Sequence, residues 1–269
     1  MIRSLAVVGL VLVLPASAPA QSHGRPVEPF HLQPIAPASG VLFELRPTVF
    51  EAQDDTNFGL GWLFEGRLAF LDRMVYASLA FPLGMGFVQS DAPSAGAVAL
   101  GNVEAGGGFG QDLARGGRWG FGGRIALPTS GDSWPPAVAG VAGRPYDWQL
   151  HALSAADARA FIHVGIDDGG FVGQLETGLD FQIPDDTSNE LLARFGFLVG
   201  YHLAARTILM MEMTWRDYLT QTADGQISFQ PGLRFPASVL DLACYLTVPV
   251  DEPLGGHAFA FGFQALWNP

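Results

Sequence analysis

Apolar residues alternate with small or polar ones along most of the chain, most cleanly over residues 58–87. Phe58, Leu60, Trp62, Phe64, Leu68 and Phe70 fall on one face; Gly59, Gly61, Glu65, Arg67 and Ala69 fall on the other, with Leu63 the apolar exception. After a turn at 71–73, Val75, Ala77, Leu79, Phe81, Leu83, Met85 and Phe87 share a face again. A period of two is the strand period, so the stretch predicts a β-hairpin with one apolar face. Both runs exceed the ~5–6 residues of a globular strand. They reach the ~9–11 residues that a tilted strand needs to cross a bilayer. Glu65 and Arg67 on the inner face predict a polar lumen.

The pattern recurs to the end of the chain. Residues 41–50 precede the hairpin, and 98–110, 119–128, 159–167, 171–183, 191–203, 207–218, 226–235, 239–250 and 257–267 follow it. The prediction is an all-β fold: an antiparallel up-and-down transmembrane β-barrel of about 12 strands over residues 40–269. Short turns are expected at 71–73, 111–118, 168–170, 204–206 and 236–238. Longer outer loops are expected at 51–57, 88–97, 129–158, 184–190, 219–225 and 251–256. Outer-loop acids would include Asp54, Asp55, Asp91, Asp132, Asp147, Asp185, Asp186 and Asp251. Trp119, Tyr201, Trp267 and Phe70 fall at one set of strand ends, and Trp62, Trp215 and Phe87 toward the other, as interfacial girdles would. Pro47, Pro82 and Pro249 suit bulges or rims, whereas Pro231 is mid-strand and requires a bulge.

Residues 1–20 read as a signal peptide: Arg3, an apolar run from Leu5 to Leu14, and Ala18-Pro19-Ala20 as the cleavage site. Residues 21–39 are polar and Pro-rich and read as a periplasmic lead-in or short plug. His23 and His31, isolated in that segment, read as solvated rather than as metal ligands. The location expected is the outer membrane, with bilayer lipid and the barrel assembly machinery as partners.

Composition narrows function. The chain is 49% hydrophobic and 15% charged, poorer in charge than the ~25% of a soluble domain. A formal net charge of −12 argues against a nucleic-acid partner. Cys244 is the one cysteine; it falls outward between Leu242 and Leu246 and reads as an inert apolar residue. No metal or cofactor is indicated. His163 and His202 fall inward without a neighbouring Ser, and the outward faces are apolar, so no enzyme is expected.

The candidate lumen lining comprises Glu44, Glu65, Glu104, Glu176, Asp180, Glu212 and Asp241 against Arg46, Arg67, Arg124, Arg194, Arg216 and Arg234. Charges inside a barrel must be paired or hydrated. The set fits either a channel lining with a selectivity field or an ion-pair network that closes a narrow lumen. Residues 129–158 carry Trp134, Tyr146, Trp148 and His151. That content fits a gate folded over or into the barrel mouth; the alternative is a capped loop packed on itself.

Residues 101–131, GNVEAGGGFGQDLARGGRWGFGGRIALPTSG, open with Gly-Asn, pass a short turn, and end a Gly-rich strand in Leu-Pro-Thr-Ser-Gly. This resembles the outer-membrane barrels named for the MetA pathway of phenol degradation. The resemblance implies a barrel transporter for small, often hydrophobic or aromatic compounds and supplies no catalytic residue. The chain departs from many outer-membrane barrels in ending Trp-Asn-Pro. The sequence reading is thus a channel or transporter for small solutes, with a non-conducting structural or surface-interaction barrel as the alternative.

Overall fold

In a computed structural model of the chain, residues 27–35, 37–52, 55–88, 95–113, 116–131, 134–184, 188–204, 206–220, 225–237, 239–251 and 254–269 are described. The expected signal peptide lies outside them. The strands are β1 (Gly40–Ala52), β2 (Asp55–Phe70), β3 (Val75–Val88), β4 (Ala95–Leu100), β5 (Glu104–Asp112), β6 (Gly117–Ala126), β7 (Ala155–Asp167), β8 (Phe171–Pro184), β9 (Glu190–Ala204), β10 (Thr207–Tyr218), β11 (Gln226–Phe235), β12 (Leu240–Pro249) and β13 (Ala258–Trp267). Twelve of them pair antiparallel with their neighbours, and β13 returns to β1 to close the ring, with Trp267 opposite Val41. The extra strand, β4, lies outside the ring and pairs with the far half of β3.

The alternation decides which side each residue faces. Phe58, Phe121, Leu175 and Phe261 point outward and are half exposed, an apolar band suited to lipid. Their neighbours point in and are buried. Closure removes every sheet edge within the ring, which a bilayer demands because it offers backbone groups no water.

Four details differ from the sequence reading. Residues 51–57 form no long loop: β1 and β2 stay paired out to Ala52 and Asp55. The strand expected at 98–110 is broken at Gly101–Val103, opposite Pro82. Pro82 has no N–H, so only its carbonyl bonds across, accepting from Gly101 N at 2.8 Å. The break divides β4 from β5. Pro231 needs no bulge, because the register is unchanged from Phe229 opposite Val248 to Gly232 opposite Tyr245. Trp62 pairs with Leu45 and Leu83 in mid-wall and belongs to no girdle.

Candidate functional site: the filled lumen

All thirteen wall residues expected inside are buried there: Glu44, Arg46, Glu65, Arg67, Glu104, Arg124, Glu176, Asp180, Arg194, Glu212, Arg216, Arg234 and Asp241. The structure gathers most of them into three ion-pair groups. Near the short-turn end, Glu65 bridges Arg67 and Arg124, both at 2.9 Å, and Arg124 reaches Glu104 at 2.6 Å. Arg234 pairs with Asp241 at 3.0 Å and donates to Gln264 at 2.8 Å. Deeper in, Glu44 holds Arg46 at 2.9 Å, and Asp180 holds Arg159 at 3.2 Å and Arg194 at 3.0 Å. Arg216 is buried opposite Arg194 on the neighbouring strand.

Twelve strands enclose more volume than wall side chains fill, since about eight already suffice for a filled interior. The chain itself supplies the rest. From one end comes the segment that the sequence presents as a lead-in or short plug. Glu28, Phe30, His31, Leu32, Gln33 and Ile35 are buried inside the barrel. Glu212 accepts the backbone N–H groups of Phe30, His31 (2.9 Å) and Leu32 (3.2 Å). Glu176 accepts Gln33 N at 2.7 Å, and Glu28 pairs with Arg67. Phe30 stacks on Tyr245 with centroids 4.7 Å apart. An irregular segment has unpaired backbone groups, and the wall carboxylates and amides satisfy them. His31, read from sequence as solvated, is fully buried and bonded to the Tyr245 hydroxyl at 3.2 Å. Burial and the Arg144 guanidinium hold its imidazole down at about 3.

From the other end comes the connection between β6 and β7. It folds into α1 (Trp134–Gly143) and a 3-10 turn at Pro145–Leu150, and both pack inside. The helix lies close against the wall where the wall is glycine: a Cβ on Gly59 would sit 2.2 Å from the Ala139 Cβ, and one on Gly84 would sit 2.6 Å from the Pro136 carbonyl oxygen. Asn102, at the break between β4 and β5, latches the segment by donating to the carbonyls of Gln149 (2.7 Å) and Ala152 (2.8 Å). Of the four residues expected in a gating loop, Tyr146 and His151 are buried in the lumen. Trp134 opens α1 and Trp148 lies in the 3-10 turn, but their side chains are outside the described structure.

Asp147 is the hub, not the solvated loop acid that its position suggests. It takes Arg144 at 2.6 Å, Arg159 at 2.8 Å and Arg194 at 3.0 Å. Burial alone would raise its carboxyl, but these three guanidiniums outweigh it and hold the group well below the usual carboxylate range. Arg144 also reaches Glu44 at 3.1 Å. Tyr146 donates to Glu176 at 3.0 Å, and its ring lies 3.7 Å beneath the Arg194 guanidinium.

Sequence reasoning missed Arg144, Asp147, Glu28, Asp157 and Arg159, whereas the strand parity already turns Asn102 and Gln264 inward. Arg159 shares the inward parity of His163 within the expected strand, and starting β7 at Ala155 would have added Asp157. Arg144 and Asp147 sit in a stretch with no strand period, and nothing local marks them as inward. Among the described residues, no group of three or more His, Cys, Asp or Glu side chains is placed to hold a metal ion.

A closed antiparallel ring, an apolar outer band and a charged interior filled from both ends together define a barrel of the outer-membrane type with an occluded lumen. No protein-family model matches the chain, and no curated protein matches it. Among solved structures, the COG4313 outer membrane channel from Pseudomonas putida F1 is similar, with a TM-score of 0.58 at 11% identity over 90% of this chain and 99% of that one. The KdgM porin is similar with a TM-score of 0.53 at 6% identity, over 84% and 98%. At such identities the likeness is one of fold. No sequence match supports the phenol-degradation family. Outer membrane phospholipase A from Escherichia coli also aligns, at a TM-score of 0.45 and 12% identity over 86% of this chain and 96% of that one. That protein is an enzyme by name; apolar outward faces and the lack of a Ser beside His163 or His202 do not exclude catalysis, so the expectation that this chain is no enzyme is not kept.

Proposed function

We propose that the chain is an outer-membrane channel for small solutes, shut in this conformation by two segments of its own. One observation carries this reading. The ring is filled not by wall side chains alone but also by residues 27–35 and 134–151, held to the wall by ion pairs and hydrogen bonds as well as by apolar packing of Phe30, Leu32 and Tyr146 against Leu198, Met210 and Tyr245. Polar contacts of this kind can be replaced by water when the segments leave, at about 1.5–3 kcal/mol for each hydrogen bond to a charged group. Removing both segments would expose a lumen lined by alternating Arg and carboxylate side chains, suited to small hydrophilic ions. The resemblance over residues 101–131 adds apolar and aromatic compounds to the solutes to be tried. Export through a cleaved leader at 1–20 and insertion by the barrel assembly machinery belong to the same proposal.

The test is single-channel recording of the refolded mature chain in a planar bilayer, beside a variant that lacks residues 21–38 and has a short Gly-Ser linker in place of residues 132–151. Discrete steps that grow in the variant support a gated channel. Folded barrels that stay silent in both forms sink it and leave a structural protein.

A further inference from the structure

We propose that Arg159 and Arg194 form a binding site for a small aromatic carboxylate, and that Tyr146 and Asp147 occupy it in the closed conformation. The inference rests on the reading above, that the loop leaves the lumen when the channel opens.

The geometry is that of a ligand already in place. Arg159 Nη1 and Arg194 Nη2 converge on one oxygen, Asp147 Oδ1, at 2.8 and 3.0 Å. The other edges of the same two guanidiniums are fixed by a wall residue. Asp180 takes Arg159 Nε at 3.2 Å and Arg194 Nη1 at 3.0 Å. The wall therefore holds the pair oriented whether or not the loop is present. Two aimed, buried guanidinium N–H groups with a vacated carboxylate between them form a carboxylate receptor. The ring follows from Tyr146, which lies against Arg194 at 3.7 Å and gives the cation an aromatic face. The backbone makes room for both contacts at once. Asp147 departs from helical geometry (φ −115°, ψ 40°) inside the 3-10 turn, so consecutive residues present a ring and a carboxylate to the same guanidinium.

The surroundings limit the ligand. Glu176 accepts the Tyr146 hydroxyl at 3.0 Å, so a ring hydroxyl has an acceptor there. Glu176 and the buried Asp157 also face this stretch of the interior. They disfavour a second negative charge, so the site selects a monoanion. Arg144 leaves with the loop, so an incoming solute gains only the two wall guanidiniums.

The experiment measures benzoate, acetate and phenol binding by calorimetry to the full mature chain refolded in detergent, with fold checked by heat-modifiable gel migration. Asp147→Asn removes the internal competitor's charge. Benzoate should bind that variant at least about tenfold tighter than wild type. Acetate, lacking the ring, should bind about tenfold more weakly than benzoate, and phenol, lacking the charge, should show no saturable binding. Adding Arg194→Gln or Arg159→Gln to Asp147→Asn should weaken benzoate by about thirtyfold. If Asp147→Asn does not fold, Tyr146→Leu, which leaves every ion pair intact, should tighten benzoate more than acetate. The site is overturned if the folded variants bind benzoate no better than wild type, if acetate matches benzoate, or if the Arg substitutions change nothing. Bilayer recordings of the same samples separate the two readings. Conductance without benzoate binding overturns the site and spares the channel; benzoate binding to a silent barrel supports the site and overturns the channel.

Discussion

Single side chains hold the lumen shut, and Glu212 shows how. Its carboxylate gathers three successive backbone N–H groups, from Phe30, His31 and Leu32. Hydrogen bonds to a charged group contribute about 1.5–3 kcal/mol each. Glu212→Gln keeps the shape but removes the charge, and should weaken docking of the segment by at least ~2 kcal/mol. Limited proteolysis should then cut within residues 27–35 about thirtyfold faster while the barrel stays resistant. His31 adds a pH dependence. Its imidazole is neutral where it docks, beside the Tyr245 hydroxyl, because burial first and the Arg144 guanidinium second disfavour its charge. A histidine whose folded value is depressed stabilises docking fully above its free value of ~6.5. That contribution is lost as pH falls from there toward about 3. At pH 5 the loss is about 2 kcal/mol by linkage. Proteolysis of the segment should quicken on acidification, and His31→Gln should flatten the profile.

At the scale of elements, the inserted helix depends on what the wall lacks. α1 approaches β2 and β3 at Gly59 and Gly84, where any side chain would collide with it. Gly59→Ala should displace the helix at a cost of about 1–3 kcal/mol, the usual penalty of overpacking. The barrel should still migrate as a folded species, and its conductance should rise. Unchanged conductance in a folded variant would mean that the helix does not obstruct the passage. The strands themselves were legible because a one-residue slip would send a whole face the wrong way, and the chain holds that parity for runs such as 171–183. The inner charge set followed from the same parity. The helix and the 3-10 turn were not legible. Their contacts run to residues far away in sequence, as from Arg144 to Glu44 and from Asp147 to Arg194, and no local period encodes such a partner. Pro82 was visible as an anomaly, but its result, the break that frees Asn102 to latch the loop, appears only in the paired sheet.

The whole molecule has an apolar exterior and an interior of buried ions, most of them paired. Such ions are screened little by salt, whereas breaking one partner leaves a buried charge at a cost of about 3–5 kcal/mol. The melting temperature should therefore barely move between low and 1 M salt, while Glu65→Gln, which takes one of two carboxylate partners from each of Arg67 and Arg124, should lower it by several degrees. Calorimetry in detergent separates these outcomes. The short loop linkage has a consequence of its own. Asp147 is tethered to the wall that it binds, so its local concentration is fixed by chain length, on the order of millimolar for short tethers. A free solute competes against that constant reservoir. The barrel would then ignore a trace solute and respond only above a threshold, and shortening or lengthening the connection between β6 and β7 would retune that threshold without altering any contact.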